Sequence, residues 1–177
     1  MKKLIILLLS LCFIMSKCPD DTPKLEELPP ITQTGEGTFG CLVNGKVWIP
    51  SKWHISTSPR YVGVDTFLSN TMKINMTRRR DTSRSNITLI VKYKNFSVGN
   101  QSYFANLSYY NDTQVCDYNT FEIDTTVSPN FLKVNFVDTS RQRRVMAGEF
   151  QARFINKSCK DTINITQGRF DMPFTIE

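Results

Sequence analysis

One histidine, five cysteines and two clusters of arginine are the side chains from which any chemistry of this 177-residue chain would be built. A hydrolytic centre needs a base held beside its nucleophile. His54, in Lys52-Trp53-His54-Ile55, is the single histidine, and no G-x-S-x-G or nucleophilic cysteine signature accompanies it. Without a C-x-x-C pair or further histidines, a metal site has no ligand set. Paired carboxylates could run glycoside hydrolysis, but a folded part of roughly 140 residues leaves little room for an extended sugar cleft. A glycan-active hydrolase is the weaker alternative. The residues point to a protein that is not an enzyme, with no cofactor and no metal.

Binding chemistry is better represented. Arg78, Arg79, Arg80 and Arg84 form one basic cluster, and Arg141, Arg143 and Arg144 a second. Guanidinium forks pair with phosphate and carboxylate in bidentate fashion, so such clusters suit an anionic glycan, a lipopolysaccharide phosphate or an acidic protein. Trp53, Tyr61, Tyr103, Tyr109 and Tyr110 could supply rings that stack on sugar faces while their polar tips stay wet. Arg78, Arg79, Arg80, Arg84, Tyr109 and Tyr110 are therefore the candidate ligand-binding residues. The chain carries +6. Removing Lys2, Lys3 and Lys17 with an export signal leaves 19 basic and 16 acidic residues. That modest balance, with no nucleic-acid-binding motif and no aromatics interleaved among the basic residues, argues against nucleic acid as a partner.

What must position these residues begins with export. Lys2 and Lys3 precede an apolar run from Leu4 to Met15. Twelve residues are short of the about 20 that cross a bilayer as a helix, and they fit a signal peptide. Ile14-Met15-Ser16-Lys17-Cys18 resembles the lipobox of bacterial lipoproteins, in which the cysteine after the cut is acylated; Lys17 stands where that motif has a small residue. Cys18 is the expected lipidation site, with Cys12 as the other candidate, so the membrane is a partner through a lipid anchor. The following stretch to Pro30 has four prolines and four acids and cannot build a core. Residues 1–17 read as signal peptide, 18–37 as acylated cysteine and disordered tether, and 38–177 as the folded domain. Extended, the tether would lift that domain about 55 Å from the membrane.

The domain reads as all-β. Asn44-Gly45 lies between Phe39–Val43 and Lys46–Ile49, which is the strongest short-range hairpin signal and pairs Cys41 with Trp48. Period-two alternation sets the inward residues as Met72, Ile74 and Met76, then Ile87, Leu89, Val91 and Tyr93, then Leu132, Val134 and Phe136. Phe150, Ala152 and Phe154 come next. Ile163 and Ile165 form a short strand, and Phe170, Met172 and Phe174 close the chain. Eight or more strands without a helical stripe predict a single antiparallel β-sandwich or barrel.

The stretches Leu28-Pro29-Pro30-Ile31-Thr32-Gln33-Thr34-Gly35 and Thr38-Phe39-Gly40-Cys41-Leu42-Val43-Asn44-Gly45-Lys46-Val47-Trp48 resemble the opening of a family of small exported Bacteroidetes lipoproteins of unknown function. Gly148-Glu149-Phe150-Gln151-Ala152 and Ile163-Asn164-Ile165-Thr166-Gln167-Gly168-Arg169-Phe170-Asp171 are similar to its closing signature. The resemblance implies an exported β-rich domain and supplies no catalytic residues. Asp20 and Asp21 resemble the acidic signal of lipoproteins displayed on the cell surface, which implies the outer membrane with the domain outside. Asp124-Thr125-Thr126 and Asp161-Thr162-Ile163 resemble the O-glycosylation sites of such proteins.

Three cysteines remain after Cys12 and Cys18. Cys116 and Cys159 sit in polar, turn-like stretches and are the expected disulfide, whereas Cys41 lies on a core face between Phe39 and Val43. Eight N-x-S/T sequons, at Asn75, Asn86, Asn95, Asn100, Asn106, Asn111, Asn156 and Asn164, exceed chance and support a rival reading, a secreted N-glycosylated eukaryotic or viral glycoprotein. Strand alternation produces the same pattern in Asn86-Ile87-Thr88 and Asn164-Ile165-Thr166. Two function classes follow for a lipoprotein. One is a binding or adhesion module for glycan or protein; the other is a structural accessory subunit of an envelope complex.

Overall fold

The computed structural model describes residues 26–51, 60–65, 71–80, 83–92, 97–111, 120–140 and 143–176. These form strands and no helix: β1 (Thr38–Val43), β2 (Lys46–Trp48), β3 (Arg60–Asp65), β4 (Thr71–Arg80), β5 (Ser83–Lys92), β6 (Gly99–Asn100), β7 (Tyr103–Asn111), β8 (Thr120–Ile123), β9 (Phe131–Ser140), β10 (Arg143–Ile155), β11 (Thr162–Pro173) and β12 (Thr175–Ile176). The fold is all-β, as expected. Its strands run β12-β3-β4-β5-β7-β8-β10-β11-β1-β2 in one nearly closed, barrel-like sheet.

The hairpin at Asn44-Gly45 has the expected register, with Val43 opposite Lys46 and Cys41 opposite Trp48. Both turn residues have positive φ, 48° and 79°, which the Asn-Gly pair tolerates and most residues do not. β10 is the hub. One edge pairs with β11 along nearly its whole length; the other pairs first with β9 and then, at Phe154 and Ile155, with β8. Closure comes from two places. β12 continues β11 beyond Phe174 and lies parallel to β3, with Thr175 opposite Gly63. On the other side, the Ser51 N–H donates to Thr77 O at 3.3 Å, joining the chain after β2 to β4.

The inner face is a continuous apolar cluster, including Phe39, Trp48, Met76, Leu89, Phe150 and Phe170. Burying each such side chain stabilises the fold by about 1.5–3 kcal/mol. Phe39 is central, edge-on to Trp48 at 5.9 Å and tilted against Phe150 at 5.3 Å. The inward residues read from β4, β5 and β10 are buried as expected, except that Tyr93 lies outside the described residues.

Two register shifts change what alternation predicts. Val134 pairs with Gly148 and Phe136 with Ala147, so Asn135 is an extra residue on β9. That bulge reverses the facing of the strand beyond it, and Val137 packs on the core in place of the expected Phe136. The second bulge merges the two closing strands into β11. Phe150 pairs with Gly168 and Ala152 with Ile165, and Gln167 takes a φ of 52°. The insertion lets Ile165 and Phe170, which differ in parity, both face inward. Gly168 has no room for a side chain, since a Cβ there would lie 2.5 Å from Phe150 O.

The tether differs most from expectation. Residues 26–37, read as part of a free linker, lie along the outside of the barrel. Arg169 Nη1 donates to Pro29 O at 3.2 Å, and a Cβ at Gly40 would strike Pro29 Cδ at 2.6 Å. Two prolines make this stretch stiff and extended, so little chain entropy opposes its docking.

Gly168→Ala is expected to lower stability by about 1–3 kcal/mol through overpacking against Phe150, read as a drop in urea midpoint with an unchanged slope.

Candidate functional site

Asp171 organises the N-terminal strap formed by residues 26–37. It lies between the inward-facing Phe170 and Met172, so its carboxylate points to the outer side of β11, yet it is only 1 % exposed. The strap covers it. Oδ1 accepts the Gly35 N–H at 2.8 Å; Oδ2 accepts the Thr32 hydroxyl at 2.7 Å and the Thr34 N–H at 2.9 Å, with the Glu36 N–H at 3.4 Å. Burial alone would raise this carboxyl, but the donors from Thr32, Gly35, Thr34 and Glu36 outweigh it and hold it below its ordinary 3.8. Positive φ at Gly35 and Gly37, 80° and 69°, turns successive N–H groups toward one anion.

At its other end the strap is fixed by Arg78. Its Nη2 meets Glu26 Oε2 at 2.6 Å while Nη1 donates to Val47 O at 2.8 Å. Arg78 is thus a structural clasp, with its side chain 12 % exposed, and not one of the open ligand-binding arginines that the cluster suggested. Beside it, Trp48 Nε1 donates to Ser85 Oγ at 2.8 Å. Burial pushes the Cys41 thiol up to about 12, with the Arg78 charge opposing, so this free cysteine is inert at neutral pH.

Backbone register sorts the remaining candidates. Arg79 stands opposite Arg84, and Arg84 opposite Tyr110, so these three occupy one row across β4, β5 and β7. Arg84 is exposed. Arg80 is opposite Ser83 at the strand ends, and Tyr109 is opposite Ser85, on the row that also holds Arg78. The side chains of Arg79, Arg80, Tyr109 and Tyr110 lie outside the described residues, as do Trp53 and His54. Tyr103, expected as an exposed ring, is half-buried against the core. Its hydroxyl donates to Gln151 O at 3.1 Å, and burial pushes its pKa up to about 12.

Below the Arg79–Arg84–Tyr110 row the same outer face continues as a polar ladder. Thr77 is opposite Asn86 and Asn86 opposite Ser108; Asn75 is opposite Thr88 and Thr88 opposite Asn106. Asn86 Nδ2 donates to Asn75 Oδ1 at 2.6 Å and Thr77 Oγ1 at 2.9 Å, and the Thr88 hydroxyl donates to Asn86 Oδ1 at 2.8 Å. The bonds from Asn86 to Asn75 and Thr77 cross from β5 to β4, and with the Thr88 contact within β5 they fix the amides in place. This ladder was visible in the sequence only as sequons. Asp171 was visible only as the last residue of the closing signature, with no role attached.

Elsewhere, Asn156 is buried and its Oδ1 accepts the Ser158 N–H at 2.9 Å, an Asx turn that leaves no room for a glycan. Cys159 in that turn is disulfide-bonded; Cys116, its expected partner, and Cys18 lie outside the described residues. Asp124 holds Thr126 through both hydroxyl and N–H, at 2.6 and 3.0 Å, while Thr125 is exposed. Among the described residues no group of three or more His, Cys, Asp and Glu could hold a metal ion.

Comparison with protein-family models, with curated proteins and with solved structures finds no match to this chain.

Asp171→Asn is expected to lower stability at neutral pH by about 1–3 kcal/mol, because an amide turns a donor toward N–H groups that need an acceptor. The folded carboxyl sits below 3.8, so its contribution is complete above that pH and is lost as acid titrates the folded form. The wild-type acid transition is therefore steeper than the variant's, which urea titrations between neutral and acidic pH would record.

Proposed function

We propose that this protein is an exported lipoprotein of the bacterial outer membrane, acylated at Cys18, whose barrel serves as a non-enzymatic binding module for a glycan. The observation that carries the reading is the outer face of β4, β5 and β7, where the Arg79–Arg84–Tyr110 row adjoins the ladder of half-buried Asn75, Thr77 and Asn86, held in place in part by the buried Thr88. Prearranged amides and hydroxyls match the hydroxyl pairs of a sugar, an aromatic offers a stacking surface, and guanidinium groups take an acidic substituent. A hydrogen-bonded sheet presents them at little ordering cost.

Placement in the Bacteroidetes lipoprotein family accords with the strap. Thr32, Thr34 and Gly35 of the opening motif and Asp171 of the closing motif are the two halves of one clamp, which gives both stretches a structural purpose. The buried Asn156 weighs against the secreted-glycoprotein alternative, since one of its sequons could not carry a glycan in the folded chain.

A glycan array probed with the mature chain tests the binding reading. Acidic glycans are expected among the ligands, and Arg84→Ala and Tyr110→Ala are each expected to weaken binding about tenfold or more, on the scale of one lost charged or stacking contact, without a shift in melting temperature. Absence of binding to any glycan, or binding unaffected by both substitutions, would reject it.

A further inference from the structure

We infer that the barrel end carrying Arg79 and Arg84 faces the membrane in which the protein is anchored, and that these arginines contact the phosphates of anionic lipid headgroups. The inference rests on acylation at Cys18 and names where the anionic part of the ligand comes from: the protein's own membrane.

The strap sets the orientation. Had residues 18–37 formed a free tether, the barrel could tumble about 55 Å from the lipid. Residues 26–37 are instead bound, at Arg78 through Glu26 and at Asp171 through the turn at Gly35. Only the eight steps from Cys18 to Glu26 separate acyl chain from barrel. Even fully extended these span about 29 Å at most, less than the reach a free linker would have had. The clasp also fixes which end is near. Glu26 sits on Arg78, close to the end of β4, and the strap runs from there toward Asp171 near the end of β11. The chain therefore leaves the barrel beside the β4–β5 hairpin.

The chemistry at that end suits headgroups. Register brings there the tips of β4, β5 and β7, the turn between β10 and β11, and the Asn44-Gly45 turn, which Asn44 ties to Asn164 of β11. Arg84, Lys46 and Lys160 are exposed and have no ion-pair partner among the described residues. Of the described acids there, Glu26 is paired with Arg78 and Glu122 with Lys157 at 2.6 Å, while Glu27 and Asp161 are exposed, Asp161 accepting the Thr162 N–H at 2.8 Å. Among the described residues these three exposed cations outnumber the two exposed acids outside ion pairs, and Arg84 brings a fork that fits phosphate; surface potential attracts such residues within a Debye length of anionic lipid.

Two measurements test this. First, the acylated chain is reconstituted in vesicles containing phosphatidylglycerol, with a fluorophore on Lys46→Cys or on Thr139→Cys, an exposed position at the opposite end. Nitroxide-headgroup lipid is expected to quench the first label several-fold more than the second, and Arg79→Glu with Arg84→Glu is expected to erase the difference. Equal quenching in acylated protein overturns the inference and leaves the anchor intact. Second, the mature chain with Cys18→Ser is sedimented with phosphatidylglycerol or with phosphatidylcholine vesicles. Salt-sensitive binding to the anionic vesicles alone, lost in the double charge reversal, supports the inference; no binding to either overturns it. Mass spectrometry of the membrane-extracted N-terminus decides the anchor separately, and an unmodified Cys18 would sink the lipoprotein reading without touching the sedimentation result.

Discussion

Asp171 faces away from the core on β11, between two residues that face into it, and is nonetheless almost completely buried. A lone carboxylate in that position would be strongly disfavoured, because removal from water penalises its charged form. The strap resolves the conflict by bringing a hydroxyl and consecutive backbone N–H groups onto it, and in doing so it lays Gly35 on outward-facing Val145, which is buried although it lies outside the main core cluster. The carboxylate and the strap are mutually dependent. Without the strap the anion is exposed to a half-apolar patch, and without the anion the turn at Gly35 has donors and no acceptor. The path of the chain along the barrel follows from this contact together with the Glu26–Arg78 clasp at the other end of the strap.

The same economy appears in the sheet. β10 serves three partners because it is long enough to pair with β9 along its first half and β8 at its end. Twist and closure require local departures from regular pairing, and the two bulges supply them. Each reverses the facing of the strand that bears it. Both sit beside glycines of β10 and β11 that have no space for a side chain, Gly148 against Lys133 O and Gly168 against Phe150 O. The glycines of the closing motif are therefore packing constraints on a curved sheet.

Outside the barrel, the face formed by β4, β5 and β7 is polar by alternation and ordered by hydrogen bonds among its own side chains. An excess of Asn-x-Thr in a sequence of this kind is what a ladder of paired amides and hydroxyls looks like when read along a single strand. Arginine plays two roles separated by one residue. Arg78 is drawn inward to clasp Glu26 and Val47 O, while Arg79 falls on the row shared with Arg84 and Tyr110. Period two puts neighbours on opposite faces, so a run of three arginines cannot act as one patch.

By itself the sequence determined the all-β class, the Asn44-Gly45 hairpin with its register, and most of the inward residues of β4, β5 and β10, because turn chemistry and alternation are local and the chain carries them residue by residue. It also marked the arginine and tyrosine positions of the candidate face. Tertiary structure alone decided which of those positions share a row, since that depends on the pairing of β5 with β4 and β7. It decided the bulges at Asn135 and Gln167, which arise from closing a curved sheet. It decided the fate of the proline-rich segment, whose composition is that of a linker and whose binding depends on a carboxylate more than 130 residues away. Contacts across such a distance leave no periodic trace in the chain.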